Sequence, residues 1–145
     1  MKRLLLLTAL LVSAAVTYAQ KPEIFTTDGK AIRGYDPVAF FKQSMPVKGA
    51  DSLSYSWKDA QWLFSSKENM ESFKANPDAF CPRYGGYCAY GTSAGHKSPT
   101  QTETWTIVDN KLYFNDNSKV KEMWLKDQKT LIEKADQQWP EVKKM

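Results

Sequence analysis

Apolar and polar positions divide the chain into one unbroken greasy run and then a series of short patterned segments. Leu4 to Val16 is apolar apart from Thr8 and Ser13, with Lys2 and Arg3 before it and Thr17-Tyr18-Ala19 after it. A positive start, an apolar centre and small residues at the −3 and −1 positions are the three parts of a cleavable export signal. Residues 1–19 are therefore expected to be removed before Gln20. A membrane-spanning helix needs about 20 apolar residues, which this run does not supply.

After the signal the pattern changes to short periods. Residues 20–33 read as a loosely structured lead-in with a turn at Asp28-Gly29. Asp36-Pro37 combines a good cap with a residue favoured at the first helical position, so a short helix is expected over Val38 to Phe41, followed by a loop from Met45 to Gly49. Tyr55-Ser56-Trp57 and Trp62-Leu63-Phe64 read as two strands joined at Lys58-Asp59-Ala60. Ser65 followed by Glu68 fits a capping box, opening a helix with Met70 and Phe73 on one face. Asn76-Pro77 stops it and leads to a turn, Asp78-Ala79-Phe80. Trp105 to Val108 and Leu112 to Phe114 read as a hairpin around Asp109-Asn110. Ser118 to Ala135 places Val120, Met123, Trp124, Leu131, Ile132 and Ala135 near one helical face, and Trp139-Pro140 closes it. Short strands with helices between and after them predict an α+β domain, a small antiparallel sheet packed with helices.

Composition narrows the class. The whole chain has 20 basic and 16 acidic residues, a formal charge of +4. Removing the signal takes away Lys2 and Arg3 and halves that excess. The remaining charges are interspersed, with no nucleic-acid stripe and no polybasic membrane patch. The mature length suits one compact domain, with no internal repeat and no second span.

The candidate chemistry is sparse: two cysteines, Cys81 and Cys88, and one histidine, His96. The segment Cys81-Pro82-Arg83-Tyr84-Gly85-Gly86-Tyr87-Cys88 stands out for its adjacent glycines, which permit backbone angles closed to other residues. Two readings stay open. Outside the cytoplasm the two thiols form a structural disulfide, worth about 2–3 kcal/mol for so short a loop. Alternatively Cys88 is a reactive or ligating thiolate, favoured by Arg83 or Lys97 if either approaches. Cys88 and His96, with Met45 or Met70, would make a soft set of sulfur and nitrogen donors suited to copper(I). Tyr84, Tyr87, Tyr90, Trp57, Trp62 and Trp105 are read first as core, second as the lining of a ligand pocket. Asp36, Asp109 and Asp116 are read as caps or turn residues. No Ser/His/Asp order, catalytic carboxylate pair or phosphate loop is present.

A larger constellation is also visible: Gly34-Tyr35-Asp36-Pro37-Val38-Ala39-Phe40-Phe41, Trp62-Leu63-Phe64-Ser65-Ser66, Phe73 with Asn76-Pro77-Asp78, Tyr84-Gly85-Gly86-Tyr87-Cys88-Ala89-Tyr90, Trp105-Thr106-Ile107-Val108-Asp109 with Lys111-Leu112-Tyr113, and Ala135-Asp136 with Trp139-Pro140. In this order and combination they resemble the exported YHS-domain family, some members of which carry selenocysteine in place of cysteine. The resemblance runs from about Gly34 to Pro140 and implies a single YHS-like domain over 34–140, with a treble-clef-like core and a tail at 141–145. It also implies soft-metal binding through cysteines. Two of the positions that carry those cysteines in metal-binding members are here Ala39 and Ser65. Cys88 matches the position that is cysteine or selenocysteine in the exported branch; Cys81 has no counterpart.

The expected function is an exported, periplasmic or secreted accessory module that binds copper, another soft metal ion or a small ligand at Cys88, with His96 and Met70 as further metal ligands and no turnover. The alternatives are a thiol-redox protein using Cys88 with Cys81 as resolving partner, and a module for protein interaction alone.

Overall fold

The structure, a computed structural model, describes residue 15 and residues 19–145. The export signal thus lies outside the described residues, Ala15 and Ala19 apart. No helix among the described residues is long and apolar enough to cross a membrane.

The domain is α+β, with six α-helices and two small sheets among the described residues. The larger sheet contains β1 (Thr26–Thr27), β2 (Lys30–Ala31), β3 (Ala50–Trp57) and β4 (Ala60–Phe64), in the order β1-β2-β4-β3. Its pairings are antiparallel except for one parallel point, Lys30 beside Gln61. β5 (Thr106–Val108) and β6 (Lys111–Tyr113) form the expected hairpin. Both tight turns run through left-handed pairs, Lys58-Asp59 and Asp109-Asn110. Two such residues in succession match the right-handed twist of the strands they join, and Asp and Asn tolerate the conformation.

Helix α1 (Ala39–Lys42) begins where Asp36-Pro37 predicts. Helix α2 (Lys67–Ala75) begins one residue later than the capping box implied: the hydroxyl of Ser66, not Ser65, accepts from Asn69 N at 3.1 Å. Ser65 is drawn elsewhere, to Asp36. The turn expected at Asp78 to Phe80 is a short helix, α3 (Pro77–Phe80), and α4 (Ala89–Ser93) follows. The long amphipathic helix is two: α5 (Ser118–Lys126), capped by Asn117, and α6 (Gln128–Val142), separated by Asp127 at φ −139°. Pro140 does not close the second helix, because it sits in the last turn and the chain stays helical through Val142.

Two core clusters divide the interior. The first joins the larger sheet to Ile24, Val38, Phe40, Phe73, Leu112 and Phe114. At its centre Phe73 meets the rings of Tyr55, Trp57, Trp62 and Phe64, with centroids 4.9–6.3 Å apart. The second holds Tyr84, Ala89, Tyr113, Trp124 and Ala135. β6 is the wall between them. By the alternation of a strand, Leu112 and Phe114 enter the first cluster and Tyr113 the second.

The lead-in is not loose. Ile24 is buried, Phe25 N donates to Gly85 O at 2.9 Å, and Glu23 pairs with Lys58 (2.8 Å) and Lys143 (3.3 Å). Burial pushes the Glu23 carboxyl up, but its two lysine partners outweigh this and hold it below its ordinary value. Gly85 is required here: at φ 63° a Cβ would stand 1.9 Å from Glu23 O. It belongs to a left-handed turn, Tyr84-Gly85-Gly86, matched by a second at Ile32-Arg33-Gly34. Thr100 links them, its hydroxyl donating to Gly86 O at 2.7 Å and its carbonyl accepting from Arg33 Nε at 3.0 Å. The expected C-terminal tail is also tied down: Val142 is buried, and Lys97 Nζ donates to Lys143 O, Met145 O, Lys21 O and Pro22 O at 2.9–3.2 Å.

Candidate functional site

Cys88 stands at the junction of three segments. Its backbone N donates to Ser98 O at 3.0 Å, and it bridges to Phe114 at the end of the hairpin. Its own carbonyl accepts from Thr92 N at 2.9 Å, starting α4. The sulfur is therefore fixed by α4, by the loop after it and by the strand wall. It is buried, accepts from Gly91 N at 3.4 Å and donates its S–H to Asn115 Oδ1 at 3.6 Å. Burial pushes the Cys88 thiol above its ordinary pKa, and the backbone N–H groups of Gly91, Asp116 and Tyr90 pull against that shift without cancelling it. The resting side chain is a thiol.

Gly91 lets the loop after α4 pack closely against Cys88. A Cβ added there would meet Ser98 Oγ at 3.0 Å, His96 Nε2 at 3.3 Å and Cys88 Cβ at 3.5 Å. Ser98, His96 and Cys88 thus pack closely around Gly91, where any larger residue would crowd them. His96 is exposed. His96 N donates to Gly91 O at 3.1 Å, which returns the loop to the helix. Lys97, next along, is buried with its ammonium on four carbonyls, and this holds the loop in place.

The structure brings together Cys88 and His96 of the sequence candidates. Met70 lies on α2 and packs against the first core cluster, and Met45 is exposed after α1. Cys81 and Cys88 are both free thiols, so the disulfide reading does not describe this structure. Cys81 packs against the first cluster, its S–H donates to Pro82 O at 3.5 Å, and burial pushes its pKa up to about 12. Neither nearby cation favours a thiolate at Cys88. Arg83 pairs with Asp136 at 3.3 Å, and Lys97 turns to its carbonyls. Trp57, Trp62 and Trp105 are core of the first cluster, and Tyr84 of the second. Tyr87 stacks on Phe25 with ring centroids 5.5 Å apart.

Asn115 was missed in the sequence. It is fully buried and its Oδ1 also accepts from Tyr90 N at 3.2 Å, while its Nδ2 has no hydrogen-bond partner. Nothing local marks an Asn at a strand end as the neighbour of a cysteine 27 residues earlier.

A second buried polar centre lies in the other half. Asp36 accepts from Val38 N (2.8 Å) and Ala39 N (3.3 Å) through Oδ1, and from Ser65 N (2.8 Å), Ser65 Oγ (2.7 Å) and Asn69 Nδ2 (2.8 Å) through Oδ2. Its cap role is as expected, and it also ties β4 and α2 to α1. Among the described residues, no group of three or more His, Cys, Asp or Glu side chains is placed to hold a metal ion. Compared with protein-family models, curated proteins and solved structures, the chain matches none of them.

Proposed function

We propose that this is an exported accessory module, similar to the exported YHS-domain family, that binds one soft metal ion, copper(I), between Cys88 and His96 without turnover. The observation that carries this reading is the approach of His96 Nε2 and the sulfur-bearing carbon of Cys88 to one point beside Gly91, 3.3 and 3.5 Å from where a Cβ would stand there. A thiolate and an imidazole are ligands of the softness copper(I) prefers, and copper(I) is content with two or three donors. Structural zinc takes four, and the scarcity of further His, Cys, Asp or Glu side chains speaks against it. A coordinating thiol is deprotonated outright, so a resting thiol at Cys88 makes uptake release a proton.

The resemblance bears on the same reading. Ala39 and Ser65, which replace the family's metal-binding cysteines, both meet the Asp36 carboxylate. At those two positions the contacts are hydrogen bonds to opposite oxygens of one carboxylate. The soft-metal chemistry then rests on Cys88 alone among the cysteines. Titration of the reduced protein with copper(I) against a chromophoric competitor should show one tight equivalent per chain. Cys88→Ser should abolish it, and His96→Ala should weaken it by ~tenfold or more, at least 1.4 kcal/mol. A parent protein that takes no copper(I) from the competitor sinks the proposal.

A further inference from the structure

The anchoring of the lead-in begins abruptly at Lys21. Lys97 Nζ donates to Lys21 O at 2.9 Å and to Pro22 O at 3.2 Å, and Tyr87 Oη donates to Pro22 O at 2.7 Å. Lys21 Nζ returns a bond to Lys97 O at 3.3 Å. Gln20 stands just before these ties. It is exposed, and among the described residues neither its backbone nor its amide has a hydrogen-bond partner.

The charge at this point is one-sided. Lys21 is the next residue, and the Lys97 ammonium lies on the Lys21 carbonyl. Glu23, the nearest acid in sequence, is taken by Lys58 and Lys143. Export cleavage after Ala19, expected from Thr17-Tyr18-Ala19, makes Gln20 the first residue and places an α-ammonium among these lysines. An ordinary α-amine titrates at about 7.7–8.0, and like charges nearby disfavour its ammonium form. A neutral amine is therefore present at working pH, with no acid free to hold it charged. The side-chain amide of the same residue is untied and within its reach.

We propose that Gln20 is a modification site, at which the mature end closes on itself as pyroglutamate. The α-nitrogen attacks Cδ of its own side-chain amide, forming a C–N bond and a lactam ring. The bond from Cδ to Nε2 breaks, and Nε2 leaves as ammonia with the proton that the amine gives up. Nothing is oxidised or reduced. The attack is intramolecular, so its entropy cost is largely met in advance. The product carries no charge, so the lysine-rich end gains none. Aminopeptidases that grip a free α-ammonium have nothing to hold. The inference rests on the export part of the reading above and is independent of copper(I), since neither Cys88 nor His96 takes part.

The test expresses the full chain in an exporting host and incubates the recovered protein at neutral pH. Intact mass and fragmentation of the first peptide then read its end. The expected result is a chain that begins at residue 20, is lighter by one ammonia than the Gln20 form, and resists chemical N-terminal sequencing. Pyroglutamyl aminopeptidase should remove the block and leave Lys21 first. Gln20→Ala should be cut at the same bond, keep its full mass and sequence freely. A chain that begins at an unclosed Gln20 overturns the proposal and leaves the export reading standing, as does cleavage at another bond. A chain that keeps residues 1–19 removes the export reading, and this inference with it.

Discussion

The domain has two buried polar centres, and they are built in opposite ways. At Asp36 one carboxylate receives five donors from three segments, with both oxygens in use. At Cys88 one sulfur meets an amide with a spare donor, and Ser98 Oγ and His96 Nε2 pack close by around Gly91. A saturated centre has no capacity left for a ligand, and its worth is mechanical: it pins α1, β4 and α2 together. An unsaturated centre costs stability and keeps capacity in hand. On the proposed reading the first centre is structural and the second is where a ligand would bind.

The sharpest way to break this contrast is at Asp36. Asp36→Ala should destabilise the fold by about 3–5 kcal/mol in urea unfolding, because it strands several buried donors at once. A loss below 1 kcal/mol would remove the mechanical role. At the other centre Cys88→Ser should cost little stability, about 1 kcal/mol, while all copper(I) binding is lost. Equal damage to folding from both substitutions would erase the distinction. Gly91→Ala is a finer probe. Its backbone is helical, so Ala gains up to about 1 kcal/mol in propensity, set against close contacts with Ser98 Oγ and His96 Nε2. Net stability should stay within about 1 kcal/mol of the parent, while copper(I) affinity falls. Unchanged affinity in a folded Gly91→Ala protein means that the ion is not held beside Gly91.

The smallest effect belongs to Glu23, which lies in neither centre and calibrates both. Its folded pKa is depressed, so its contribution is present above the unfolded carboxylate value and fades as pH falls through the folded one. Glu23→Gln should cost well under 1 kcal/mol at neutral pH, as expected of part-exposed pairs. The difference from the parent should shrink below about pH 4. A difference that persists there means Glu23 acts through packing instead of charge.

Local signals carried much of this architecture. The Asp36-Pro37 start, the paired strands around Lys58-Asp59 and the hairpin at Asp109-Asn110 are all legible, because their turn and cap chemistry lies within a few residues. Features set by distant partners are not. Ser65 looks like a cap and is taken instead by a carboxylate 29 residues earlier. The lead-in looks loose until Gly85, Tyr87 and Lys97 bind it. In the candidate site, Cys88 and His96 are visible as residue types eight positions apart. Their approach beside Gly91 is not visible, nor is the Asn115 amide, since both depend on how a loop and a strand end return to α4.

The strand wall has a consequence for how this chain tolerates change in length. β6 sends Leu112 and Phe114 to one side and Tyr113 to the other, and Asn115 follows the parity of Tyr113. One extra residue in the Asp109-Asn110 turn, taken up by sliding the strand, would reverse every side at once. The phenol of Tyr113 would turn toward the aromatic sheet core, and the Asn115 amide would leave the sulfur of Cys88. An insertion of two would restore the parity. The surroundings of Cys88 are therefore bound to an even count in a turn that never touches it.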